Sequence, residues 1–218
     1  MKRLYIVRHG QTQWNVQKRM QGRMDSPLTE LGQAQAIGVG GLLRALGGVE
    51  RFWVSPSGRT TETVHLINSH THAQIDYMDA LMERDCGAWS GLTVEEVQSK
   101  YAQEWIQREQ DPYNFQPPNG ESMADMRRRI EEFLEDLLAI DWQSIGLVTH
   151  SVMSKVILQH FLDLSDIEAT RISHPNDLVY QLSFYADRID VAYHMPEIDE
   201  QDGLLYTEST LQPHPSQQ

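Results

Sequence analysis

Apolar residues along this chain fall into two spacings. Leu4-Tyr5-Ile6-Val7, Phe52-Trp53-Val54 and Ile145-Gly146-Leu147-Val148 are short continuous runs, the pattern of strands buried on both faces of a parallel sheet. Met123, Met126, Ile130, Phe133, Leu134, Leu137 and Leu138 instead keep three-and-four spacing, behind a Ser122/Asp125 pair that resembles a capping box. A helix is predicted there. Thr29 is placed to cap another, running to about Leu46 with Leu31, Ala34, Leu42 and Ala45 on its apolar side. Gly38, Gly40 and Gly41 weigh against that helix, since an interior glycine costs about 1 kcal/mol against alanine. Helices are also predicted over 59–69, 94–108 and 151–162, and a short strand over 74–77. The runs 178–184 and 189–193, joined by Ala186-Asp187-Arg188, read as a hairpin. Residues 10–25, 81–92 and 111–120 read as loops.

Strands alternating with helices predict an α/β fold, a three-layer α/β/α sandwich on a mostly parallel sheet. The terminal hairpin adds an antiparallel edge. One domain is expected over 1–195; residues 196–218, acidic and then rich in Pro, Gln and Ser, read as a flexible tail.

Composition narrows the function. No run of about 18 apolar residues occurs, so no transmembrane helix is expected. Arg8-His9-Gly10 cuts the first apolar run far short of a signal-peptide core, and the single Cys86 has no internal disulfide partner. A cytoplasmic location is expected. The net charge of −13 on 218 residues argues against nucleic acid as a partner. Yet residues 1–24 hold Lys2, Arg3, Arg8, Lys18, Arg19 and Arg23 and no acid, a local cationic patch suited to a small anion. Nothing in the sequence sets an oligomeric state.

Three predicted strands run directly into reactive side chains: Arg8-His9-Gly10, Ser55-Pro56 with Arg59 just beyond, and Thr149-His150-Ser151. Ligands of open parallel sheets bind outside the carboxyl ends of the strands, so two histidines and two arginines are expected at one edge. That set suits phosphoryl transfer. Arginine forks match phosphate oxygens, and a neutral imidazole is a nucleophile near neutral pH. Glu83 is the leading candidate for the proton donor to the leaving oxygen. Apolar Met82 and Trp89 beside it favour its protonated form, and nearby arginines oppose that.

Taken together, several segments resemble the histidine phosphatase superfamily, the phosphoglycerate mutase-like group. They are residues 4–15 (LYIVRHGQTQWN), Gln21-Gly22, Asp25-Ser26-Pro27-Leu28-Thr29, Gly32, Gln35-Ala36 and Ser55-Pro56-Ser57-Gly58-Arg59-Thr60. Further on are Glu83 with Gly87, Trp89 and Gly91, then Pro118-Asn119-Gly120-Glu121-Ser122 with Asp125, Val148-Thr149-His150 and Asn176. The resemblance spans about residues 3–194. It implies that His9 is phosphorylated, that Arg8, Arg59 and His150 clamp the phosphoryl oxygens, and that Glu83 protonates the leaving group and then activates water. It further implies that Asn15 and Gly22 line the phosphate pocket; Gln21, Thr149 and Ser151 are added as candidate substrate-binding residues. No metal or other cofactor is implied, and the expected partner is a small phosphorylated substrate.

The chain departs from the family where Ser151 replaces the glycine that often follows the second histidine; its hydroxyl either crowds the phosphate or donates to it. Met20-Gln21-Gly22-Arg23, the Glu83-to-Trp89 loop and a short middle segment place the chain nearer the phosphatases than the mutases. A phosphoglycerate mutase-type transferase and a non-catalytic phosphate-binding regulator are the alternatives. Met20, Met24, Met82, Trp89, Trp105, Tyr113 and Phe115 are candidates for a specificity wall; were several of them to line the pocket, a monophosphate with an apolar or neutral body is expected. Leu92, six residues after Cys86, excludes the Cys-x5-Arg of cysteine phosphatases. His65, His70 and His72 lie close together in sequence, but with no carboxylate at ligand spacing.

Overall fold

The structure is a computed structural model that describes residues 1–196 and 198–207. In chain order it comprises β1 (Lys2–Arg8), α1 (Gln13–Val16), α2 (Glu30–Ala45), β2 (Arg51–Val54), α3 (Gly58–Thr71) and β3 (Gln74–Tyr77). Next come α4 (Val94–Lys100), α5 (Ala102–Gln110), α6 (Met123–Ala139), β4 (Ser144–Thr149), α7 (Ser151–Leu162) and α8 (Asp166–Arg171). The chain then forms β5 (Val179–Phe184), β6 (Ile189–Met195) and β7 (Ile198–Asp202).

All seven strands join one sheet in the order β3-β2-β4-β1-β5-β6-β7. The first four are parallel to one another, and β5, β6 and β7 run antiparallel at the edge. Alternation along β1 shows why the sheet is covered twice. Leu4 and Ile6 enter one core with residues of α6 and α7, such as Met126, Ile130, Val156 and Ile157. Tyr5 and Val7 enter the other with Ala36, Val39 and Leu43 of α2 and Val64 and Ile67 of α3. A strand buried on both faces has no polar position to show, hence its continuous apolar run.

The expected capping residues act as read. Thr29 accepts from Gly32 N–H, and Ser122 and Asp125 form a reciprocal capping box. The α2 glycines have a packing cause: a Cβ on Gly40 would stand 2.7 Å from the Ile67 carbonyl oxygen, so its absence lets α2 and α3 close together.

Three expectations change. The helix predicted over 94–108 is two helices broken at Tyr101, whose φ of −133° and ψ of 44° leave the helical region while its ring packs near Trp89. The loop over 10–25 holds the single turn α1, closed by a Thr12/Asn15 capping box. Within the tail predicted from 196, residues 198–207 are structured: β7 extends the sheet, and Leu204 and Leu205 pack against the larger core. Residues 197 and 208–218 of that predicted tail lie outside the described residues. Among the described residues no helix is long and apolar enough to cross a membrane.

Candidate active site

Because β1, β4 and β2 are neighbours and parallel, their carboxyl ends open on one edge. Register sets the order there. Arg8 pairs with Thr149, His9 N–H donates to the Thr149 carbonyl at 3.0 Å, and Ser55 N–H donates to the Val148 carbonyl at 3.0 Å. The rings of His9 and His150 are thereby brought edge to face, with centroids 5.4 Å apart.

Local bonds fix the His9 ring. A carbonyl only accepts, so the contact of Nδ1 with the Gly10 carbonyl at 2.8 Å places the ring proton on Nδ1 and leaves the lone pair on Nε2. Burial, reinforced by Arg8 and Arg59, holds the His9 pKa well below its ordinary value. The same causes act on His150, where burial and then Arg59 and His9 keep the ring neutral. His150 Nε2 lies 2.8 Å from Ser55 Oγ, and its buried Nδ1 has no protein partner. When Ser55 donates to Nε2, Nδ1 carries the proton and is a donor.

Both arginines are held by carbonyls. Arg8 donates to the His174 carbonyl at 2.7 Å. Arg59 donates to the Met24 carbonyl and Asp25 carboxylate at 2.7 Å each, and to the Gly22 carbonyl at 2.8 Å. Each keeps a buried Nε–H without a protein partner. Gly22 is required in this bracket: its φ is +54°, and a Cβ would lie 2.9 Å from the Cys86 amide nitrogen.

Glu83 lies against the first turn of α7. Its carboxylate accepts from the amides of Val152 and Met153 at 3.2 Å each and of Arg84 at 2.9 Å. Arg129 of α6 steadies that loop by donating to the carbonyls of Ala80 and Met82.

These groups meet at a cavity of about 170 Å³ whose lining includes Arg8, His9, Asn15, Gln21, Gly22, Arg59 and Glu83. His150 lies behind it, fully buried beside His9. Two further candidates stand outside the lining. Thr149 is fully buried with its hydroxyl donated to the Leu81 carbonyl, so it ties β4 to the Glu83 loop rather than facing a ligand. Ser151 opens α7 half-buried, and it is its neighbour Val152 that lines the cavity.

Of the apolar wall candidates only Met20 lines the cavity. Trp105 and Phe115 each meet the Trp89 ring in a separate cluster, Phe115 stacked and Trp105 tilted, and the Tyr113 hydroxyl donates to Gln159. The apolar wall is therefore corrected to a cationic one, in which Arg19 and Arg84 join Arg8 and Arg59 against the single carboxylate Glu83. Arg84 also keeps a buried Nε–H unpaired. The sequence counts Arg19 only within the cationic patch of residues 1–24, and it points to no role for Arg84, Asp25 or His174. Arg84 directly follows Glu83, which was its available signal; His174 acts through its backbone carbonyl, which no residue pattern encodes.

Among the described residues no three His, Cys, Asp or Glu side chains are grouped as metal ligands. His65 is exposed near the Tyr77 hydroxyl, His70 packs beside Gly40, and His72 caps α3 in the left-handed region.

The family model described as "Histidine phosphatase superfamily (branch 1)" matches residues 4–195. The chain is similar to phosphoserine phosphatase 1 of Hydrogenobacter thermophilus, at 33% identity over 70% of this chain and 72% of that one. It is also similar to a probable phosphoglycerate mutase, GpmB of Salmonella arizonae, at 32% identity over 75% and 76% of the two chains. Other curated relatives are longer, and the chain spans 39% of the length of one that it matches over 193 residues. Among solved structures, a mycobacterial glucosyl-3-phosphoglycerate phosphatase in complex with VO3 superimposes with a TM-score of 0.79 at 26% identity, covering 88% of this chain and 97% of that one.

Proposed function

The chain belongs to the histidine phosphatase superfamily, and we propose that it is a phosphomonoester hydrolase that works without a metal through a phosphohistidine on His9. The observation that carries this reading is the set of buried donors around one small cavity. Arg8, Arg59 and Arg84 line the cavity with His9, and each keeps a buried Nε without a protein acceptor, as does the Nδ1 of His150 beside His9. Buried donors are ordinarily paired, and a phosphoryl group brings the oxygens this set requires.

In this reading the phosphoryl oxygens accept from Arg8, Arg59 and His150 while His9 Nε2 attacks phosphorus. The P–N bond forms as the P–O bond to the leaving group breaks. Glu83, protonated, gives its proton to the leaving oxygen. Water then attacks the phosphohistidine, Glu83 takes the water proton, and the P–N bond breaks to release inorganic phosphate. The proton stays on Nδ1, donated to the Gly10 carbonyl throughout, so His9 leaves and returns as the same tautomer. Asn15, Gln21 and Gly22 complete the pocket lining around the phosphoryl group.

The arginine-rich lining supports a substrate that carries a second anionic group beyond its phosphate. Once Arg8 and Arg59 serve the phosphoryl oxygens, Arg19 and Arg84 are left over, and Arg19 is already paired with Glu96 at 3.0 Å, which leaves Arg84 to meet the second anion.

Hydrolysis of a chromogenic aryl phosphate tests the reading, with and without EDTA, for wild type and His9→Ala. Activity that survives EDTA and is lost in the variant is expected. Loss in EDTA overturns the metal-free claim, and activity in His9→Ala overturns the nucleophile. Phosphoryl transfer to an acceptor in place of release would move the chain to the mutase side of its family.

A further inference from the structure

The two catalytic candidates of β1 are aimed by a loop that contributes nothing to the cavity lining. Residues 171–178 join α8 to β5. From this loop the His174 carbonyl accepts from Arg8 at 2.7 Å, and Asn176 Nδ2 donates to the His9 carbonyl at 2.7 Å. The loop's position therefore sets where the Arg8 guanidinium points and how the chain turns at the nucleophile.

What holds the loop is the C-terminal segment beyond β7. Ser173 N–H donates to the Leu205 carbonyl at 2.7 Å, Thr207 N–H donates to the Arg171 carbonyl at 2.9 Å, and Ile172 bridges Tyr206 antiparallel. Tyr180 of β5 locks the join. Its hydroxyl donates to the Ser173 carbonyl at 2.6 Å and accepts from Leu205 N–H at 3.2 Å. Its ring meets that of His174 edge to face, centroids 5.0 Å apart. The His174 ring is pinned in turn: Nε2–H donates to the Leu178 carbonyl at 2.9 Å, leaving Nδ1 to accept from Ser154 Oγ at 2.7 Å.

We infer that residues 204–207 and Tyr180 form a positioning strap, which fixes the 171–178 loop and through it aims Arg8 into the phosphoryl site. A strap needed only for stability would have no reason to converge on the residue whose carbonyl holds Arg8. Leu204 and Leu205 are half-buried against the larger core, which anchors the strap from the other side.

The inference rests on Arg8 as a phosphate ligand and is tested by a double-mutant cycle read as inorganic phosphate binding in calorimetry. Tyr180→Phe keeps the ring on His174 and removes only the hydroxyl. It is expected to weaken phosphate binding about fivefold in the wild-type background, within the range of coupling inside one hydrogen-bonded network. In an Arg8→Gln background, where the guanidinium that the loop aims is gone, the same change is expected to cost less than about twofold. Equal weakening in both backgrounds, or none in the first, overturns the strap. If Tyr180→Phe fails to fold, Leu205→Ala, which loosens the strap's seat on the larger core, is read in the same cycle. A wild type that binds no phosphate and hydrolyses no ester would overturn the functional reading, and the strap's role with it.

Discussion

His9 and His150, delivered by different strands, stand ring edge to ring face with centroids 5.4 Å apart, and both are held neutral by burial and by neighbouring arginines. Two cationic imidazoles at that separation, beside Arg8 and Arg59, would repel without water to screen them. Neutrality suits each proposed role. A lone pair on His9 Nε2 is a nucleophile, and a proton on one His150 nitrogen is a hydrogen-bond donor.

Histidine ring signals in NMR check this directly. With both pKa values depressed, His9 and His150 are expected to keep the shifts of neutral imidazole at pH 6, where ordinary histidines are largely protonated. Titration of either ring near its ordinary value of 6.5 would contradict the account.

Folding stability carries the same signature through His174, which burial holds at about 3 against an ordinary 6.5. The folded state takes up this proton later than the unfolded chain does. Its contribution is complete above pH 6.5 and is lost as the pH falls towards about 3. The slope is about 1.4 kcal/mol per pH unit for this one group. Urea unfolding between pH 6.5 and 5 is expected to show that slope flattened by about the same amount in His174→Gln. An unchanged slope would place the pH dependence elsewhere.

Glu83→Gln separates the proton donor from the nucleophile. The amide still reaches the first turn of α7 but has no proton to deliver. Turnover of an alkyl phosphate is expected to fall about 10²–10⁴-fold, and turnover of an aryl phosphate with a good leaving group much less. Equal losses on both substrates would remove Glu83 from acid catalysis.

Arg84→Leu tests the second anion. It is expected to lower kcat/KM about tenfold or more for phosphomonoesters bearing an added carboxylate or phosphate. A neutral aryl phosphate should be nearly unaffected. Uniform loss across both classes would make Arg84 part of the phosphoryl clamp instead.

Gly22→Ala strains a φ of +54° and drives a Cβ against the Cys86 amide. Destabilisation of about 1–3 kcal/mol is expected in urea, with a raised KM because the Gly22 carbonyl holds Arg59. A variant as stable as wild type would show that the bracket relaxes.

Much of this was legible in the residues themselves. Buried parallel strands read as continuous apolar runs, so Leu4 to Val7 and Ile145 to Val148 announced the sheet, and Arg8, His9, Thr149 and His150 followed at its edge. Thr29 and Ser122 announced their helices by side-chain chemistry confined to one turn. Less legible were features set by distant partners. Tyr101 breaks a helix inside an unbroken helical pattern, near Trp89 in the aromatic cluster. Trp89 and Phe115 looked equally fit to line a pocket or to stack on each other, and only the fold decides. Leu205 joins the strap through its own backbone N–H and carbonyl, which its side chain does not announce.

The central claim is a phosphoryl group on His9, and trapping it is the most direct test. The protein is mixed with an aryl phosphate, quenched in alkali within one turnover, digested and examined by mass spectrometry. The account predicts one added phosphoryl group, acid-labile, on the peptide containing His9, and none in His9→Ala. A phosphoryl group on another residue, or steady turnover with no modified peptide, would contradict it.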